Sequence, residues 1–289
     1  MYFISQFYII YLFFANLENM KKNLQFLLIF SLIFNSGCYL NYTGEKTSTH
    51  LNGQLKSSGH YVDGKKHGEF RYFDKEGLLM KQLNFSGGKL DGLCIWYYPD
   101  GSIRMKGAYD NGLKHGPFSW FENQKIIQFE NYVQDHLDGR SVWYDAEGKV
   151  NAVGHFKHGK RNGFFAWYTD KIQQDGKYAW YSNTGKLESV GFKKNGIWHG
   201  EWKDFYPNGN LKVSGSFKNG ERHERWVWYY ENGKLKSEEN YTNGKGSGNT
   251  VTYHINGNIK SKGVYVEGKA TGNWLWYNED GELVREEVF

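Results

Sequence analysis

A 24-residue period runs through this chain of 289 residues from Gly44 onward, and no other feature constrains the fold as much. Each repeat opens with a glycine, continues with aromatic residues and has a second glycine nine positions later. A fixed period of this length is typical of repeat proteins, in which each copy packs against its neighbours. The repeats open at Gly44, Gly68, Gly92, Gly116, Gly139, Gly163 (a truncated copy), Gly176, Gly200, Glu224, Gly248 and Gly272.

Within each repeat the pattern predicts a β-hairpin. Counted from the opening residue, position +2 is often aromatic and position +4 is usually Trp, and this alternation is typical of a β-strand. An Asn-Gly or Asp-Gly pair follows, as at Asn208-Gly209, and predicts a type I′ turn. A return strand then has an aliphatic residue at +11 and an aromatic residue near +17, as at Leu211 and Phe217.

The turn position predicts the register and the two faces of the hairpin. If Asn-Gly forms the turn, +2 pairs with +15 and +4 with +13. Position +15 is glycine in several repeats, including Gly107 and Gly215, and an aromatic ring lying over a cross-strand glycine covers bare backbone and fixes register. We therefore expect +2, +4, +11 and +17 to form one apolar face.

The aromatic residues at +5 are expected on the opposite, polar face, where they form a ladder that is a candidate binding surface. Rigid, amphipathic aromatic side chains are common at binding sites. The alternative is that all these rings only pack between hairpins. The ladder consists of Phe73, Tyr97, Phe121, Tyr144, Tyr168, Tyr181, Phe205, Tyr229, Tyr253 and Tyr277.

These patterns together predict an all-β fold, an elongated single-layer antiparallel meander of stacked β-hairpins over residues 44–289. An isolated hairpin is marginally stable, so each copy has to gain burial from its neighbours. The spacing is irregular twice, with 13 residues from Gly163 to Gly176 and 23 from Gly116 to Gly139. These irregularities are either tolerated drift or features that bend the array and shape a pocket near residues 116–176.

The N-terminal segment has the pattern of a targeting signal. After Met20, two lysines precede an apolar run over residues 24–34, and two small residues precede Cys38. This run is too short for a comfortable membrane-spanning helix. The segment resembles a bacterial lipoprotein signal, which is cleaved before a cysteine whose sulfur then receives lipid. Asn35 departs from that pattern, because an aliphatic residue is usual there.

We therefore expect residues 1–37 to be a signal segment, with the start of translation at Met1 or Met20. Residues 38–43 then form a short tether, and Cys38 is the expected lipid attachment site. This predicts an exported, membrane-anchored lipoprotein of the bacterial cell envelope. The alternatives are an ordinary export signal, or a membrane anchor lengthened by the first fourteen residues.

Composition and motifs argue against catalysis and nucleic-acid binding. The chain has 36 Lys and Arg against 31 Asp and Glu, mixed along its length, so it has no concentrated basic surface. It has no G-x-S-x-G or H-E-x-x-H motif, and no spacing selects a pair of carboxylates. We expect no enzyme, no cofactor and no nucleic-acid partner.

Four histidines and one cysteine have structural explanations. His67, His115, His199 and His223 recur just before repeat boundaries, where other repeats have Asp or Asn, so they are interpreted as turn residues rather than metal ligands. No metal site is expected. Cys94 lies in a strand pattern and is expected to pack as a small hydrophobic residue.

Segments such as YPNGNLKVSGSFKNG (206–220) and YDNGLKHG (109–116) resemble the variant form of the MORN repeat. The resemblance covers essentially the whole chain after Cys38 and implies stacked hairpins in an elongated, twisted sheet. Bacterial members of this family are commonly grouped as the YwqK-type antitoxin component of toxin–antitoxin systems, and other MORN proteins are scaffolds or membrane-associated organisers. The resemblance implies no catalytic residues.

The expected function is that of a non-enzymatic, exported repeat protein with a protein-binding or scaffolding surface at the cell envelope. Its partners would be an unknown protein and the membrane, reached through an N-terminal lipid or signal anchor. One alternative is an antitoxin or immunity component, with a toxin as the protein partner. Another is binding of envelope glycans by the +5 ladder, and a glycan-processing enzyme is the least supported class.

Overall fold

The computed structural model describes residues 42–169 and 174–289, and these contain β-strands but no helix. The predicted signal segment and Cys38 lie outside the described residues. The chain divides into two compact bodies, one ending at Gly101 and one beginning at Ser102. The all-β prediction is confirmed in both.

In the N-terminal body, β1 to β4 pair antiparallel in chain order. The short β5 and the longer β6 both pair with β4, because the strand that they form together is interrupted at Asp91. The strands are β1 (Gly44–Thr49), β2 (Leu55–Val62), β3 (Lys65–Phe73), β4 (Leu79–Ser86), β5 (Lys89–Leu90) and β6 (Gly92–Tyr97).

The strands of the C-terminal body also form an antiparallel meander. The strands are β7 (Ile103–Asp110), β8 (Leu113–Glu122), β9 (Lys125–Val133), β10 (His136–Leu137), β11 (Gly139–Tyr144), β12 (Val150–Lys157), β13 (Lys160–Tyr168), β14 (Gly176–Tyr181), β15 (Leu187–Lys194), β16 (Ile197–Phe205), β17 (Leu211–Lys218), β18 (Glu221–Tyr229), β19 (Leu235–Thr242), β20 (Lys245–Gly246), β21 (Gly248–Tyr253), β22 (Ile259–Val266), β23 (Lys269–Tyr277) and β24 (Leu283–Val288).

The turn within most repeats differs from the predicted type I′ turn. The exception is the Gly116 repeat, where Asn123 and Gln124 have φ values of 47° and 62° between the paired residues Glu122 and Lys125. At Tyr206–Asn210 the amide of Gly209 donates to the carbonyl of Tyr206 (2.8 Å), and the amide of Tyr206 donates to the carbonyl of Asn210 (2.8 Å). Only Gly209 has a positive φ, of 94°, whereas Asn208 does not. This is a three-residue loop, a type I turn closed by a glycine in the left-handed region, and Pro207 occupies the position that proline favours.

The other type I′ turns lie at the junctions between repeats. At Asn219-Gly220 the φ values are 52° and 85°, and Lys218 pairs with Glu221 on either side of the turn. The corresponding two-residue loops at the other junctions also have two positive φ values. They are Asp63-Gly64, Gly87-Gly88, Asn111-Gly112, Gln134-Asp135, His158-Gly159, Asn195-Gly196, Asn243-Gly244 and Glu267-Gly268.

The prediction that +2 pairs with +15 and +4 with +13 is confirmed in the 24-residue repeats, as at Trp226↔Glu239 and Trp228↔Ser237. In the 23-residue Gly116 repeat the partners are +14 and +12, as at Phe118↔Glu130 and Trp120↔Gln128. The face assigned to +11 was wrong. The register shifts between +4 and +5, so that Tyr229 lies opposite Leu235. Residues that lie directly opposite each other share a face, so the +11 side chain accompanies the +5 ring rather than the +4 ring.

The glycine at +15 is covered by an aromatic ring, but that ring comes from the next repeat. Gly215 pairs with Trp202 inside its own hairpin, yet a Cβ on Gly215 would lie 2.2 Å from Cδ2 of Trp226. Trp226 is only 2% exposed. The same arrangement joins Gly59 with Phe70, Gly107 with Phe118, Gly154 with Phe165, Gly191 with Trp202 and Gly263 with Trp274. We call the face that bears the +2 and +4 rings the packing face.

The 13-residue repeat moves the packing face to the other side of the sheet. Phe165, a +2 residue, pairs with Ala179, whereas the +2 residue of the next repeat, Tyr178, pairs with Ala166. The register is therefore one residue away from the one that would keep the +2 rings together, and a one-residue slip exchanges the two faces. Within the C-terminal body the packing face lies on one side up to Trp167 and on the other side from Tyr178.

The opening residue of most repeats lies in a bulge with a positive φ. At the Glu224 repeat, Ser214 lies opposite Val227 and Ser216 opposite His223, so three residues of β18 face one residue of β17. Gly200 and Gly248 have φ values of 79° and 86° at this position, and Glu224 has a φ of 58°. Because Glu224 has a Cβ, this conformation is strained.

Replacing Glu224 by glycine is expected to raise the free energy of unfolding by about 0.5–1 kcal/mol, as relief of left-handed strain exceeds the entropy that glycine adds to the unfolded chain. Thermal or urea unfolding of the variant would measure the change. Glu224→Ala is the matched control, since it removes the carboxylate and keeps the strain. Equal stability of the two variants would contradict the explanation.

Candidate binding surfaces

The structure divides the predicted +5 ladder into three groups. Phe73 and Tyr97 belong to the N-terminal body. In the C-terminal body, Phe121, Tyr144 and Tyr168 lie on one side of the sheet. The remaining five residues lie on the other side because the faces exchange at the 13-residue repeat. They are Tyr181, Phe205, Tyr229, Tyr253 and Tyr277.

Tyr181 differs from the other ladder residues because it joins a packing face. It pairs with Gly163, and its ring centroid lies 5.2 Å from that of Phe165. Arg161 donates to its hydroxyl at 2.7 Å. Tyr181 therefore takes the place of the +17 aromatic residue that the shortened repeat lacks.

The ladder residues Tyr229, Tyr253 and Tyr277 are half-buried and lie in a polar setting. Arg225 forms an ion pair with Glu238 on the same face, and Nζ of Lys262 lies 5.6 Å from the ring centre of Tyr277. Burial, followed by the charge of Glu238, raises the pKa of Tyr253.

The backbone beneath these three residues is held by side chains of the preceding repeat. The hydroxyl of Tyr206 donates to the carbonyl of Tyr229 (2.8 Å), and that of Tyr230 donates to the carbonyl of Tyr253 (2.7 Å). His254 Nε2 makes the equivalent contact with Tyr277 (2.8 Å). The +6 side chain therefore fixes the next +5 position, and Asn208 and Asn256 make similar bonds two residues further along the chain.

On the packing face, a lysine or arginine two residues before the opening residue lies among three rings, and we call this arrangement an aromatic cage. Arg222 is 4.7 Å from the ring centre of Trp226, 5.5 Å from that of Trp228 and 5.4 Å from that of Tyr241. Contacts of this kind are attractive because the ring face is electron-rich. Lys66, Lys114 and Arg161 occupy the equivalent position in their repeats.

A row of cross-strand neighbours on the packing face shows where these rings are missing. In the order of pairing it consists of Trp180, Ser189, Asp204, Val213, Trp228, Ser237, Thr252, Ser261, Trp276 and Arg285. Asp204 and Thr252 stand at +4, the position where Trp is usual. Each lies at a cavity.

The cavity at Asp204 has a volume of about 510 Å³ and is lined also by Ser189, Tyr206 and Lys212. Oδ1 of Asp204 is buried and has no hydrogen-bond partner in the described part of the chain. The cavity at Thr252 has a volume of about 450 Å³. In the sequence, both cavities are marked by a residue other than Trp at +4, a signal that a pattern of recurring residues does not reveal.

Cys94 is fully buried, as expected, and burial raises the pKa of its thiol. His67, His115, His199 and His223 lie in strands close to the opening bulges. Across residues 42–169 and 174–289, no cluster of three or more His, Cys, Asp or Glu side chains is placed to hold a metal ion. The same residues include no helix long and apolar enough to cross a membrane.

The family model described as the MORN repeat variant matches five segments of the chain, at residues 90–111, 137–158, 198–219, 225–243 and 270–289. These matches support the interpretation of the array as MORN-type repeats. A comparison with curated proteins finds no match.

Solved structures give only weak similarities. One is the crystal structure of TcdB2-TccC3-Cdc42, at 11% identity over 81% of this chain and 14% of that chain, with a TM-score of 0.19. Another is the Tc holotoxin pore of Photorhabdus luminescens, at 13% identity over 80% of this chain and 15% of that chain, also with a TM-score of 0.19. Alternansucrase with isomaltononaose matches at 20% identity over 83% and 16%, with a TM-score of 0.16. The chain thus spans a small part of these proteins, and similarities this weak support no argument about fold or function.

Removal of the charge from one aromatic cage is expected to lower stability. Arg222→Met keeps an apolar stem and loses the three ring contacts and the bond to the Tyr241 hydroxyl, which should cost about 1–2 kcal/mol in the free energy of unfolding. The matched control is Arg225→Met, which breaks an exposed ion pair and should cost less than about 1 kcal/mol. Urea unfolding of both variants would test this, and equal losses would show that the rings add nothing.

Proposed function

We propose that this protein is a non-enzymatic binding protein whose repeat array presents the +5 aromatic residues of the C-terminal body to a protein partner. The observation that supports this most directly is the strip formed by Tyr229, Tyr253 and Tyr277. These half-buried rings lie at the ends of β18, β21 and β23, the first strands of successive hairpins. One strand separates each from the next, so successive rings are about 10 Å apart.

The strip suits binding because it is both aromatic and rigid. The backbone carbonyl of each tyrosine already accepts a hydrogen bond from a side chain of the preceding repeat. Little backbone conformational freedom is therefore lost on binding. The surrounding charges are paired across the strands, as at Arg225–Glu238, and so resemble the polar rim of an interface. A central group of tyrosines within such a rim is the usual composition of a binding hot spot.

Alanine at Tyr229, Tyr253 and Tyr277 together is expected to weaken partner binding more than tenfold, since each hot-spot ring contributes about 1 kcal/mol or more. The partner would be found by photo-crosslinking from Tyr253 in cells of the source organism, and its affinity for purified variants measured by calorimetry. Phenylalanine at the same three positions is the control, because it keeps the rings.

A partner that binds the folded triple-alanine variant as tightly as the unchanged chain would overturn the proposal. Capture of a toxin would identify the function as neutralisation or immunity, which the YwqK-type resemblance suggests. Retention on purified cell wall that disappears in the triple-alanine variant, with no crosslinked protein, would instead indicate glycan binding.

We further propose that the protein is exported and held at the cell envelope through lipid on Cys38. The support is the order of lysines, apolar run and small residues before that cysteine. Such an address places the partner in the envelope and favours immunity to an envelope-acting toxin over neutralisation in the cytoplasm.

Cys38→Ala is expected to abolish labelling by a fatty-acid analogue and to move the protein out of the membrane fraction. Fractionation of cells that express either form would measure this. The Cys94→Ala variant is the control for labelling at the other cysteine. An unprocessed, unlabelled wild-type chain in the cytoplasm would contradict the proposed address.

A further inference from the structure

The Gly248 repeat leaves a trench in the packing face. Its +2 and +4 positions are Thr250 and Thr252 rather than aromatic residues, and Gly246 stands where four other repeats have Lys or Arg. The resulting cavity of about 450 Å³ is walled by the side chains of Tyr241, Tyr265 and Trp274. Thr250, Thr252 and Ser261 line it between these walls.

One carboxylate, that of Glu239, also lines the trench. It accepts a hydrogen bond from the hydroxyl of Tyr241 (2.5 Å) and a long one from Ser237 (3.4 Å). Arg222 reaches the Tyr241 hydroxyl at 3.2 Å from its own cage, but no described cation forms an ion pair with Glu239. Burial and the Glu239 carboxylate raise the pKa of Tyr241, so its hydroxyl remains a donor to Glu239.

The chain contains a closed counterpart of this site. Glu130 stands at +14 of the 23-residue repeat and pairs with the +2 residue Phe118, as Glu239 pairs with Trp226. It accepts from the hydroxyl of Tyr132 (2.5 Å), as Glu239 does from Tyr241. The repeat after it has Leu137 and Trp143 at the positions of Gly246 and Thr252. Glu130 is only 6% exposed, whereas Glu239 is half-buried. The open trench therefore follows from the small residues of the Gly248 repeat.

We propose that the trench binds an organic cation, the guanidinium or primary ammonium group of a ligand, between its aromatic walls and against Glu239. Four repeats hold a cation of the chain among the rings of their packing face, at Lys66, Lys114, Arg161 and Arg222, and Arg222 lies on the same side of the sheet as the trench. The trench has rings and a carboxylate but no cation of its own in the described chain. A ligand cation would complete the arrangement that these four repeats make internally.

A neutral sugar fits the site less well than a cation. Two of the hydroxyls that line the trench, those of Thr252 and Ser261, bond to each other at 2.7 Å and so have less capacity for a sugar. The carboxylate has lone pairs left and attracts positive charge. The trench also lies on the face opposite Tyr229, Tyr253 and Tyr277, so this proposal does not depend on the proposed function.

The test uses the full-length chain labelled with 3-fluorotyrosine, with the signals of Tyr241 and Tyr265 assigned by single Tyr→Phe variants. Fluorine NMR titrations would follow Nα-acetyl-arginine amide, Nα-acetyl-lysine amide and spermidine, with the neutral isostere Nα-acetyl-citrulline amide as the ligand control. We expect saturable shifts at both tyrosines with the cations, and at least tenfold weaker binding of citrulline. Tighter binding of spermidine than of the amino-acid amides would assign the site to a free polyamine, and the reverse order to a partner's side chain.

Variants locate the interaction on Glu239 and the trench. Glu239→Gln should weaken cation binding at least fivefold, and Thr252→Trp, which restores the consensus ring, should abolish it. Glu238→Gln is the matched control, because this neighbouring carboxylate lies on the other face in an ion pair with Arg225. Equal binding of citrulline and arginine, binding of N-acetylglucosamine in place of the cations, or no shift with any probe would each overturn the proposal.

Discussion

The bare backbone at the +15 glycines is the constraint on which this sheet depends. An open sheet of hairpins has to bury apolar surface with side chains that lie along its own face. At Gly215 the ring of Trp226 occupies the space that a side chain would take. Its ring centroid also lies 5.0 Å from that of Phe217 and 6.0 Å from that of Trp228. Because that ring comes from the next repeat, a hairpin with glycine at +15 is covered by its successor, and stability becomes a property of neighbouring pairs.

The same pairing explains why the length of one repeat changes the whole surface. A 24-residue repeat returns the +2 ring to the side on which the previous one lies, whereas the 13-residue repeat does not. Phe165 and Tyr178 therefore have the same position in their repeats and opposite positions in the sheet. The sheet tolerates this because β13 and β14 still form antiparallel backbone hydrogen bonds in the shifted register. The aromatic rings then continue on the new side through Trp180, Trp198 and Trp202.

Much of the fold was predictable from the sequence because glycine and aromatic positions are fixed relative to each other in most repeats. Pairing of +2 with +15 needs only that spacing. The turn type was not predictable in this way, since Asn208-Gly209 is compatible with either a two-residue or a three-residue loop, and the hydrogen bonds of Tyr206 decide between them. The side of the sheet on which Tyr181 lies depends on the register between β13 and β14, which the pattern does not determine. The cavities were missed because their signal is the absence of a ring at Asp204 and Thr252.

These two positions also differ from the rest of the array in what they do for stability. Trp at +4 buries a large apolar surface in the other repeats, and a full aromatic burial contributes about 2–3 kcal/mol. Thr252 forgoes that burial, and Asp204 forgoes it and leaves a buried carboxylate oxygen without a partner. Both lie in the cross-strand row of the packing face, flanked by Trp180, Trp228 and Trp276. Residues that break a stabilising local rule without a compensating contact are concentrated at functional sites in natural proteins, so the packing face, and not only the ladder, has to be considered as a surface for ligands.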